Sequence, residues 1–366
     1  MPAATDSILV RSVNWLGDAV MSTPALLRLR QARPGAHITL LSPEKLAGLW
    51  ERQPFVDEVM TFSTSENIWQ VGRRLRERKF TTGVAFPNSI RSALELWLAG
   101  IPRRIGVARI GRSLFLTTTV PPPPAALEMR KRSVQDIRRR IKHAEGATRY
   151  PAQAHHVHHY LRLTATLGAS PEPMPPHIEL SLEELAAARG KFGLAHVVGR
   201  PWFAINPGAE YGPAKRWPAE RFVAAACALQ EKTRCRWAIL GGVGEIALAE
   251  TISGDIARTT GEPALNLTGL TSLRELAVVL KICDLVLTND TGPMHLAYAV
   301  GAPVVAIFGS TSPELTGPVF SARAKVVRCD APCSPCFRRE CPIDLRCLRG
   351  IETDQVVAAA LDCFKP

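Results

Sequence analysis

The sequence contains no hydrophobic run that is long enough to cross a membrane. Its longest apolar stretches, "PVVAIFG" and "LAVVLKICDLVL", fall far short of the ~20 residues of a membrane-spanning helix. Residues 1–13 also lack the basic start, the apolar middle and the small-residue cleavage site of a secretory signal. Because 46% of the residues are hydrophobic and 21% are charged, we expect a core-forming globular protein that stays in the cytoplasm.

Two common nucleotide-binding signatures are also missing. No G-x-x-x-x-G-K-[ST] motif occurs, which argues against a P-loop nucleotide hydrolase. The glycine-rich stretch "AILGGVGE" at 238–245 lacks the full G-x-G-x-x-G spacing, so it is weak support for NAD. Zinc fingers, RNA-binding aromatic signatures and basic helices are absent, and a nucleic-acid-binding protein is therefore disfavoured despite the net charge of +12.

The positive charge is concentrated in the first half of the sequence. Residues 1–176 contain 25 Lys and Arg against 13 Asp and Glu, whereas residues 177–366 contain 20 of each. A solvated basic face and a surface for a polyanion, such as phosphorylated lipid, both fit this distribution.

Strand-like runs alternate with helical runs along the chain, which is typical of parallel sheets flanked by helices. The stretch "ASPEPMPP" at 169–176 carries four prolines and predicts a linker. We therefore predict an α/β protein with two doubly wound domains, at 1–170 and 177–350, that face each other across a cleft, and a C-terminal helix at 351–366. The charged stretch near 120–147 predicts a mobile insertion.

The segment "LTNDTGPMHLAYAVGAPVVAIFGST", residues 287–311, predicts a phosphate site. Pro293 suits the first turn of a helix, and the amides that follow it would be free donors at a helix start. Asp290 and Thr291 would stand at the mouth of this site. The alternative is that Asp290 only caps the helix.

Two further loops follow predicted strands of the second domain. "NPGAEYGPAKRWP", residues 206–218, supplies Lys215, whose compact positive charge suits a diphosphate, although a solvated lysine is the alternative. Glu245 ends the glycine-rich stretch, where it could accept hydrogen bonds from ribose hydroxyls or favour the helix start. The ends of parallel strands meet at one edge of a sheet, so the three loops predict one diphosphate site.

Five motifs together resemble the bacterial lipopolysaccharide core heptosyltransferases of glycosyltransferase family 9, and the heptosyltransferase II group in particular. The resemblance runs from about residue 7 to 328. The motifs are "NWLGDAVMSTPALLRL", "FPNSIRSAL", "AGIPRRIG", "NPGAEYGPAKRWP" and "LTNDTGPMHLAYAVGAPVVAIFGSTSP".

The resemblance implies the GT-B fold, with two Rossmann-like domains that bind the acceptor and ADP-heptose respectively. It implies an inverting, metal-independent transfer without a cofactor, in which Asp18 is the catalytic base and Lys215 offsets charge on the leaving diphosphate. The donor-binding positions that it carries over are Glu245, Asp290, Thr291, Gly292 and His295. One departure is that Glu210 and Tyr211 stand where heptosyltransferase I has small hydroxyl residues.

The same resemblance implies that the acceptor is heptosyl-Kdo2-lipid A, the phosphorylated inner core. The predicted acceptor-binding residues are Asn88, Ser89, Arg91, Arg103 and Arg104. An acceptor of this kind would place the enzyme at the anionic cytoplasmic face of the inner membrane, as a peripheral protein. The alternatives are a heptosyltransferase of type I or III, another ADP-sugar transferase, or a nucleotide-sugar-binding module without catalysis.

Two sequence features remain open. Five cysteines, Cys329, Cys333, Cys336, Cys341 and Cys347, form a ladder in which four thiolates could hold a structural metal, or which could consist of packed free thiols. "HHVHH" at 155–159 has the i, i+4 spacing of a metal pair, but without a nearby acid it predicts a solvated or membrane-facing surface.

Overall fold

The computed structural model describes residues 6–63, 65–122 and 129–364. The chain forms two compact units. The first unit comprises residues 1–126 and 153–179, and the second comprises residues 127–152 and 180–366. The predicted domain boundaries, at 1–170 and 177–350, stay a prediction. The division into two compact units differs from them in that it assigns 127–152 to the second unit.

Twelve strands are present in the described residues. They are β1 (Ser7–Arg11), β2 (His37–Pro43), β3 (Glu58–Phe62), β4 (Thr82–Ala85), β5 (Arg103–Val107), β6 (Thr118–Val120), β7 (Trp202–Asn206), β8 (Arg236–Ile239), β9 (Leu265–Asn266), β10 (Leu285–Asn289), β11 (Val304–Phe308) and β12 (Ala324–Arg328).

Fourteen α-helices are present in the same part of the chain. They are α1 (Leu16–Met21), α2 (Thr23–Ala32), α3 (Ile68–Glu77), α4 (Ile90–Leu98), α5 (Val134–Lys142), α6 (Val157–Ala165), α7 (Leu182–Phe192), α8 (Ala219–Thr233), α9 (Ile246–Thr260), α10 (Leu273–Ile282), α11 (Gly292–Ala299), α12 (Pro313–Thr316), α13 (Arg346–Arg349) and α14 (Thr353–Phe364).

Each unit contains one six-stranded parallel sheet. The strand order is β3-β2-β1-β4-β5-β6 in the first unit and β12-β11-β10-β7-β8-β9 in the second. Numbered within its own unit, each sheet has the order 3-2-1-4-5-6, which defines the doubly wound Rossmann arrangement. The central strands β7, β10 and β11 are buried along their whole length, as expected for a sheet that is covered on both faces. The predicted α/β class is confirmed.

This strand order identifies where ligands bind. The chain reverses direction across the sheet between β1 and β4 in the first unit, and between β7 and β10 in the second. Loops that leave the carboxyl ends of these strands diverge and open a crevice at that edge. The candidate residues that matter are therefore those that follow β1, β4, β7 and β10.

The charged segment before α6 is not a mobile insertion, as far as the described residues from 129 onward show. Helix α5 buries Ile137 in the core of the second unit, with 1% of its surface exposed. The Arg132 and Arg140 guanidinium groups donate to the carbonyl oxygens of Pro335 (2.6 Å) and Pro332 (2.8 Å). These arginines bind backbone rather than solvent, and no sequence pattern indicates such a partner.

The docking of this segment changes where the charge excess lies. The first unit contains 17 Lys and Arg against 11 Asp and Glu, and the second contains 28 against 22. Each unit therefore carries the same net charge, and the basic first half of the sequence does not correspond to one basic unit. Within the described residues, no helix has the length and apolar character that a membrane crossing requires.

Candidate active site

A buried ion pair lies at the switch point of the second sheet. Asp290 directly follows β10 and is 3% exposed. Its Oδ2 accepts hydrogen bonds from Lys215 Nζ (2.6 Å) and from the Thr311 hydroxyl (2.6 Å). Lys215 ends a 3-10 turn in the loop after β7, and Thr311 follows β11. Three loops from three adjacent strands are thereby tied to one carboxylate.

Electrostatics keep this carboxylate ionised. Burial alone would raise the pKa of Asp290, but the positive charge of Lys215, the electrostatic influence of His295 and the hydrogen bonds from Lys215 and Thr311 hold that pKa below its ordinary value. Asp290 takes two of the three N–H donors of the Lys215 ammonium group, through Oδ2 and through its backbone carbonyl oxygen (3.3 Å), and the third remains for a ligand. Lys215 is therefore a positioned cation rather than a solvated surface lysine.

Helix α11 begins beside this pair. Thr291 is its N-cap and makes no side-chain cap hydrogen bond, and Gly292 and Pro293 form its first turn. The N-cap residue of this helix is Thr291 rather than Asp290, whose Oδ2 atom is held by Lys215 and Thr311. His295 is 6% exposed and is close enough to Asp290 to affect its pKa. The helix start thus combines uncapped amides with an adjacent cation, an arrangement that suits phosphate.

Glu245 lies over the loop that follows β7. Its Oε2 accepts a hydrogen bond from the Gly242 amide (3.0 Å). A Cβ at Gly208 would stand 1.5 Å from Glu245 Oε1, and one at Gly241 would stand 2.7 Å from Oε2. Glycine at 208 is therefore what allows the carboxylate to pack against this loop.

Tyr211 stands where heptosyltransferase I has a small hydroxyl residue, and its contacts explain this difference. The Tyr211 hydroxyl donates to the carbonyl oxygen of Phe337 (2.8 Å), and Lys215 Nζ lies 4.9 Å from the Tyr211 ring centroid. A Cβ at Gly212, whose φ is +148°, would stand 2.5 Å from the Arg339 carbonyl oxygen. The lysine loop is thus fixed against the segment that carries the cysteines.

Asp18 lies at the corresponding edge of the first sheet. It is in the first turn of α1, after the loop that follows β1. Its Oδ1 accepts a hydrogen bond from the Tyr160 hydroxyl (3.2 Å) and lies 3.7 Å from His156 Nδ1. Burial and the Asp18 charge raise the pKa of Tyr160 well above its ordinary value, so Tyr160 keeps its proton and stays a hydrogen-bond donor to Asp18.

The histidine-rich stretch is therefore not a solvated or membrane-facing surface. His155 is 3% exposed, His156 faces Asp18, and His159 Nε2 lies 3.3 Å from the Phe86 carbonyl oxygen. Burial lowers the pKa of His159 to about 4. The i, i+4 spacing identifies residues that share a helix face but does not show what the face packs against.

Three of the predicted acceptor-binding residues lie at this same edge. Asn88 and Ser89 follow β4, and Ser89 is the N-cap of α4. The amide oxygen of Asn88 is buried without a hydrogen-bond partner among the described residues. Arg91 pairs with Glu95 (2.9 Å), a buried carboxylate that also binds Arg11 (2.8 Å).

Arg103 and Arg104 lie elsewhere. They begin β5, where Arg103 aligns with Thr82, whereas Asn88 follows the other end of β4. The strand runs for about 13 Å from Arg103 to its carboxyl end, at about 3.3 Å per residue. Their side chains donate to the carbonyl oxygens of Thr166 (2.9 Å) and Phe115 (2.7 Å). The structure does not bring this pair to Asp18, and their predicted acceptor role stays a prediction.

Sequence reasoning missed several residues of these sites. Arg112, which has no exposed surface, donates to the carbonyl oxygens of Pro87 (2.8 Å) and Ser89 (3.1 Å), and it thereby shapes the loop that carries Asn88. Burial lowers the pKa of Arg112 to about 10. Tyr160 also carried no signal, because it lies 142 positions from Asp18.

The cysteine ladder divides into two parts. Cys333, Cys336, Cys341 and Cys347 line one cavity of the second unit. Cys329 packs instead against Gly350, where a Cβ would stand 2.5 Å from the sulfur.

Comparison with known proteins defines the class. The model of glycosyltransferase family 9 (heptosyltransferase) matches residues 124–346. Lipopolysaccharide heptosyltransferase 2 of Escherichia coli K12 is 30% identical over 335 residues, 88% of this chain and 87% of the relative. Lipooligosaccharide heptosyltransferase 2 of Haemophilus ducreyi is 29% identical over 338 residues, 88% of each chain.

Solved structures agree with this result. The E. coli ADP-heptose lipopolysaccharide heptosyltransferase II superposes with a TM-score of 0.73 at 26% identity, over 98% of each chain. A family 9 glycosyltransferase of Veillonella parvula gives 0.76 at 24% identity, over 100% of this chain and 98% of that one. The fold is GT-B, and the protein is a glycosyltransferase. It belongs to glycosyltransferase family 9, the heptosyltransferases.

The contact between Gly208 and Glu245 gives a direct test of the predicted role of this glutamate. In Gly208→Ala the new Cβ would occupy the position of the carboxylate, and the flexible glutamate must move away. If Glu245 holds the ribose of the donor, we expect ADP affinity to fall about tenfold, the value of one charged hydrogen bond. Isothermal titration calorimetry measures this change.

Gly242→Ala is the matched control in the neighbouring loop. Its Cβ meets no atom within 4 Å, and the Gly242 amide that binds Glu245 is retained. This variant should bind ADP like the wild type. Equal losses in the two variants, or none in Gly208→Ala, would contradict the role of Glu245.

Proposed function

We propose that the protein transfers heptose from ADP-L-glycero-D-manno-heptose to the inner-core heptose of heptosyl-Kdo2-lipid A in lipopolysaccharide core biosynthesis. The observation that carries this proposal is the Lys215–Asp290–Thr311 arrangement beside the start of α11, at the switch point of the second sheet. The names of the heptosyltransferase 2 relatives support the same donor and pathway.

The second unit would bind the donor. Lys215 would contact the diphosphate, and the first amides of α11, after Thr291 and Gly292, would donate hydrogen bonds that stabilise its remaining charge. Glu245 would accept hydrogen bonds from the ribose hydroxyls, and His295 would stand behind Asp290. As the glycosidic bond breaks, its electron pair goes to the diphosphate oxygen, and these groups offset the new charge.

The first unit would bind the acceptor and supply the base. The acceptor hydroxyl oxygen forms the new bond to the anomeric carbon on the face opposite the departing ADP, and Asp18 takes the hydroxyl proton. A single displacement of this kind inverts the anomeric configuration. We propose a transfer that requires no metal, because Lys215 and the helix amides supply the positive charge that a divalent ion would otherwise bring.

Asn88 would contribute to acceptor binding. Its buried amide oxygen lacks a partner among the described residues, so a sugar hydroxyl could satisfy it. Ser89 and Arg91 flank it at the same edge, and Arg91 would face the acidic core although it also pairs with Glu95.

We also propose that this edge of the first unit meets an anionic membrane surface. Ile110 is fully exposed, Leu114 is 82% exposed, and Ile90 is 52% exposed at the start of α4. Ile90 Cδ1 lies 3.8 Å from the Cβ position of Gly111, so Ile90 adjoins the loop that carries Ile110. Arg109 directly precedes these apolar side chains. Exposed aliphatic groups beside a cation are suited to the interface of an anionic bilayer.

Transfer to purified acceptors tests the proposal. Lipid acceptors that end in Kdo, in one heptose or in two heptoses are presented in anionic vesicles with ADP-heptose and a chelator. We expect product only from the one-heptose acceptor, and we expect the enzyme to sediment with the vesicles before donor is added. Product is measured by mass spectrometry.

The other outcomes separate the alternatives. Product from the Kdo or the two-heptose acceptor would identify a type I or type III enzyme and contradict the acceptor assignment. Loss of activity with the chelator, restored by Mg²⁺, would contradict metal independence. Equal sedimentation with neutral vesicles, or none with anionic ones, would contradict only the membrane assignment.

Tyr160 should position Asp18 and keep it ionised. In Tyr160→Phe the ring still packs against Phe86 (centroids 5.3 Å apart), but the hydrogen bond to Asp18 is lost. A donor to a carboxylate favours its charged form. We therefore expect the acidic limb of the kcat/KM profile to move to higher pH, with kcat lower by about tenfold.

Asp18→Asn provides the reference for this test. It should abolish turnover, by about 100-fold or more, while ADP binding is preserved. Adding Tyr160→Phe to Asp18→Asn should then change the residual rate little, because no carboxylate remains for the Tyr160 hydroxyl to keep ionised. An unshifted pH profile in Tyr160→Phe would contradict the positioning role.

A further inference from the structure

Four thiols that the transfer reaction does not use converge in the second unit. Cys333, Cys336, Cys341 and Cys347 line one small cavity, although they span fifteen positions of the sequence. The four residues thus border a common space.

The backbone around these cysteines is shaped for sulfur. Phe337 and Leu345 have φ values of +53° and +57°, a left-handed conformation that residues with side chains rarely adopt. The turn at Leu345 directs its own N–H at the Cys341 Sγ atom (3.3 Å).

A second observation points to a missing ligand. Ser310 lines the same cavity and is 1% exposed, and its hydroxyl has no hydrogen-bond partner among the described residues. Buried hydroxyl groups are normally satisfied, so an orphan of this kind needs an explanation. A negatively charged thiolate cluster would accept its hydrogen bond.

The surroundings also offer positive charge without an acidic counterpart in the cavity lining. Arg346 lines the cavity and interacts electrostatically with Cys333 and Cys341. Arg338 and Arg132 act on Cys336 in the same way. Although Arg346 also binds Asp344 (2.8 Å) and Arg132 also binds Asp136 (3.3 Å), both carboxylates lie outside the cavity lining.

We propose that Cys333, Cys336, Cys341 and Cys347 bind one thiophilic divalent ion, Zn²⁺ or Fe²⁺, in a closed tetrahedral structural site. The four thiols would each release a proton, and four thiolates with one M²⁺ leave a net charge of −2 that the arginines offset. C-x2-C spacing, as between Cys333 and Cys336, is common in such sites, and S4 coordination selects these ions.

The four cysteines line one cavity, but their side chains do not yet have the arrangement of a metal site. Among the described residues, no three His, Cys, Asp or Glu side chains stand as a ready metal-binding group. Binding would therefore draw the sulfurs inward, as in other sites where ligation and local folding are coupled. Four protein ligands leave no open position, so the ion would be structural.

The site would fix the donor loop. The cysteine-bearing segment accepts the Tyr211 hydroxyl at Phe337 O (2.8 Å) and the Ala214 amide at Arg339 O (2.9 Å). Ala214 also lines the cavity and directly precedes Lys215. This coupling rests on the proposed donor role of Lys215, whereas the metal site itself does not.

Metal analysis of the full chain tests the site independently of transferase activity. Protein expressed with Zn²⁺ and Fe²⁺ supplied is analysed by inductively coupled plasma mass spectrometry, and the two metal contents distinguish the ions. We expect about one ion per chain. After exchange with Co²⁺, thiolate-to-metal charge transfer and tetrahedral d–d absorption should appear.

Cysteine variants locate the ligands. Cys336→Ser and Cys341→Ser should lose most of the bound metal and the Co²⁺ spectrum. Cys329→Ser is the matched control, because Cys329 belongs to the ladder but packs against Gly350, and it should keep both. If a ligand variant fails to fold, the Co²⁺ spectrum of the wild type decides whether sulfur is bound.

Three results would overturn the proposal. The first is wild-type protein without stoichiometric metal whose nine thiols all react with Ellman's reagent on unfolding. The others are a Co²⁺ spectrum without sulfur charge transfer and equal metal loss in Cys329→Ser. For the coupling, chelation should weaken ADP binding several-fold. Unchanged ADP affinity in metal-free protein would contradict the coupling between the metal and the donor loop, but not the metal site itself.

Discussion

The ion pair between Lys215 and Asp290 joins the loops that follow β7 and β10, and Thr311 adds the loop after β11. A buried carboxylate is costly unless it is paired and hydrogen-bonded, and here both conditions are met. The pair therefore constrains three loops at once and presents the remaining N–H donor of the Lys215 ammonium group beside the start of α11. The proposed donor site depends on this constraint more than on any single ligand contact.

The same topology generates both candidate sites. Each unit has a sheet of the order 3-2-1-4-5-6, so each opens a crevice at one place, between its first and fourth strands. Asp18 and Asn88 lie at this place in the first unit, and Lys215 and Asp290 lie there in the second. Glycine at 208 leaves room for Glu245 at the second of these edges. The same strand order in each unit thus accounts for the position of each candidate site.

Much of this was predictable from the sequence, and the failures have definite physical causes. Apolar strands that end in Asn, Asp or Gly predict buried parallel strands with polar edges, and the structure has them at Asn206 and Asn289. By contrast, the basic stretch around Arg132 and Arg140 resembles solvated sequence, and its partners are carbonyl groups about 200 positions away. The resemblance assigns Arg103 to the acceptor, but this residue begins β5 at the sheet edge opposite the one that carries Asp18. Periodicity identifies faces of elements, and it does not identify what those faces contact.

The most direct measurement is calorimetric binding of ADP, AMP and adenosine to the wild type and to the double variant Lys215→Met with Asp290→Asn, which leaves no unpaired buried charge. If the pair holds a diphosphate, ADP affinity should fall about tenfold or more in the double variant while adenosine affinity stays the same, with AMP between them. An equal loss for all three ligands, or an unchanged ADP affinity, would contradict the account.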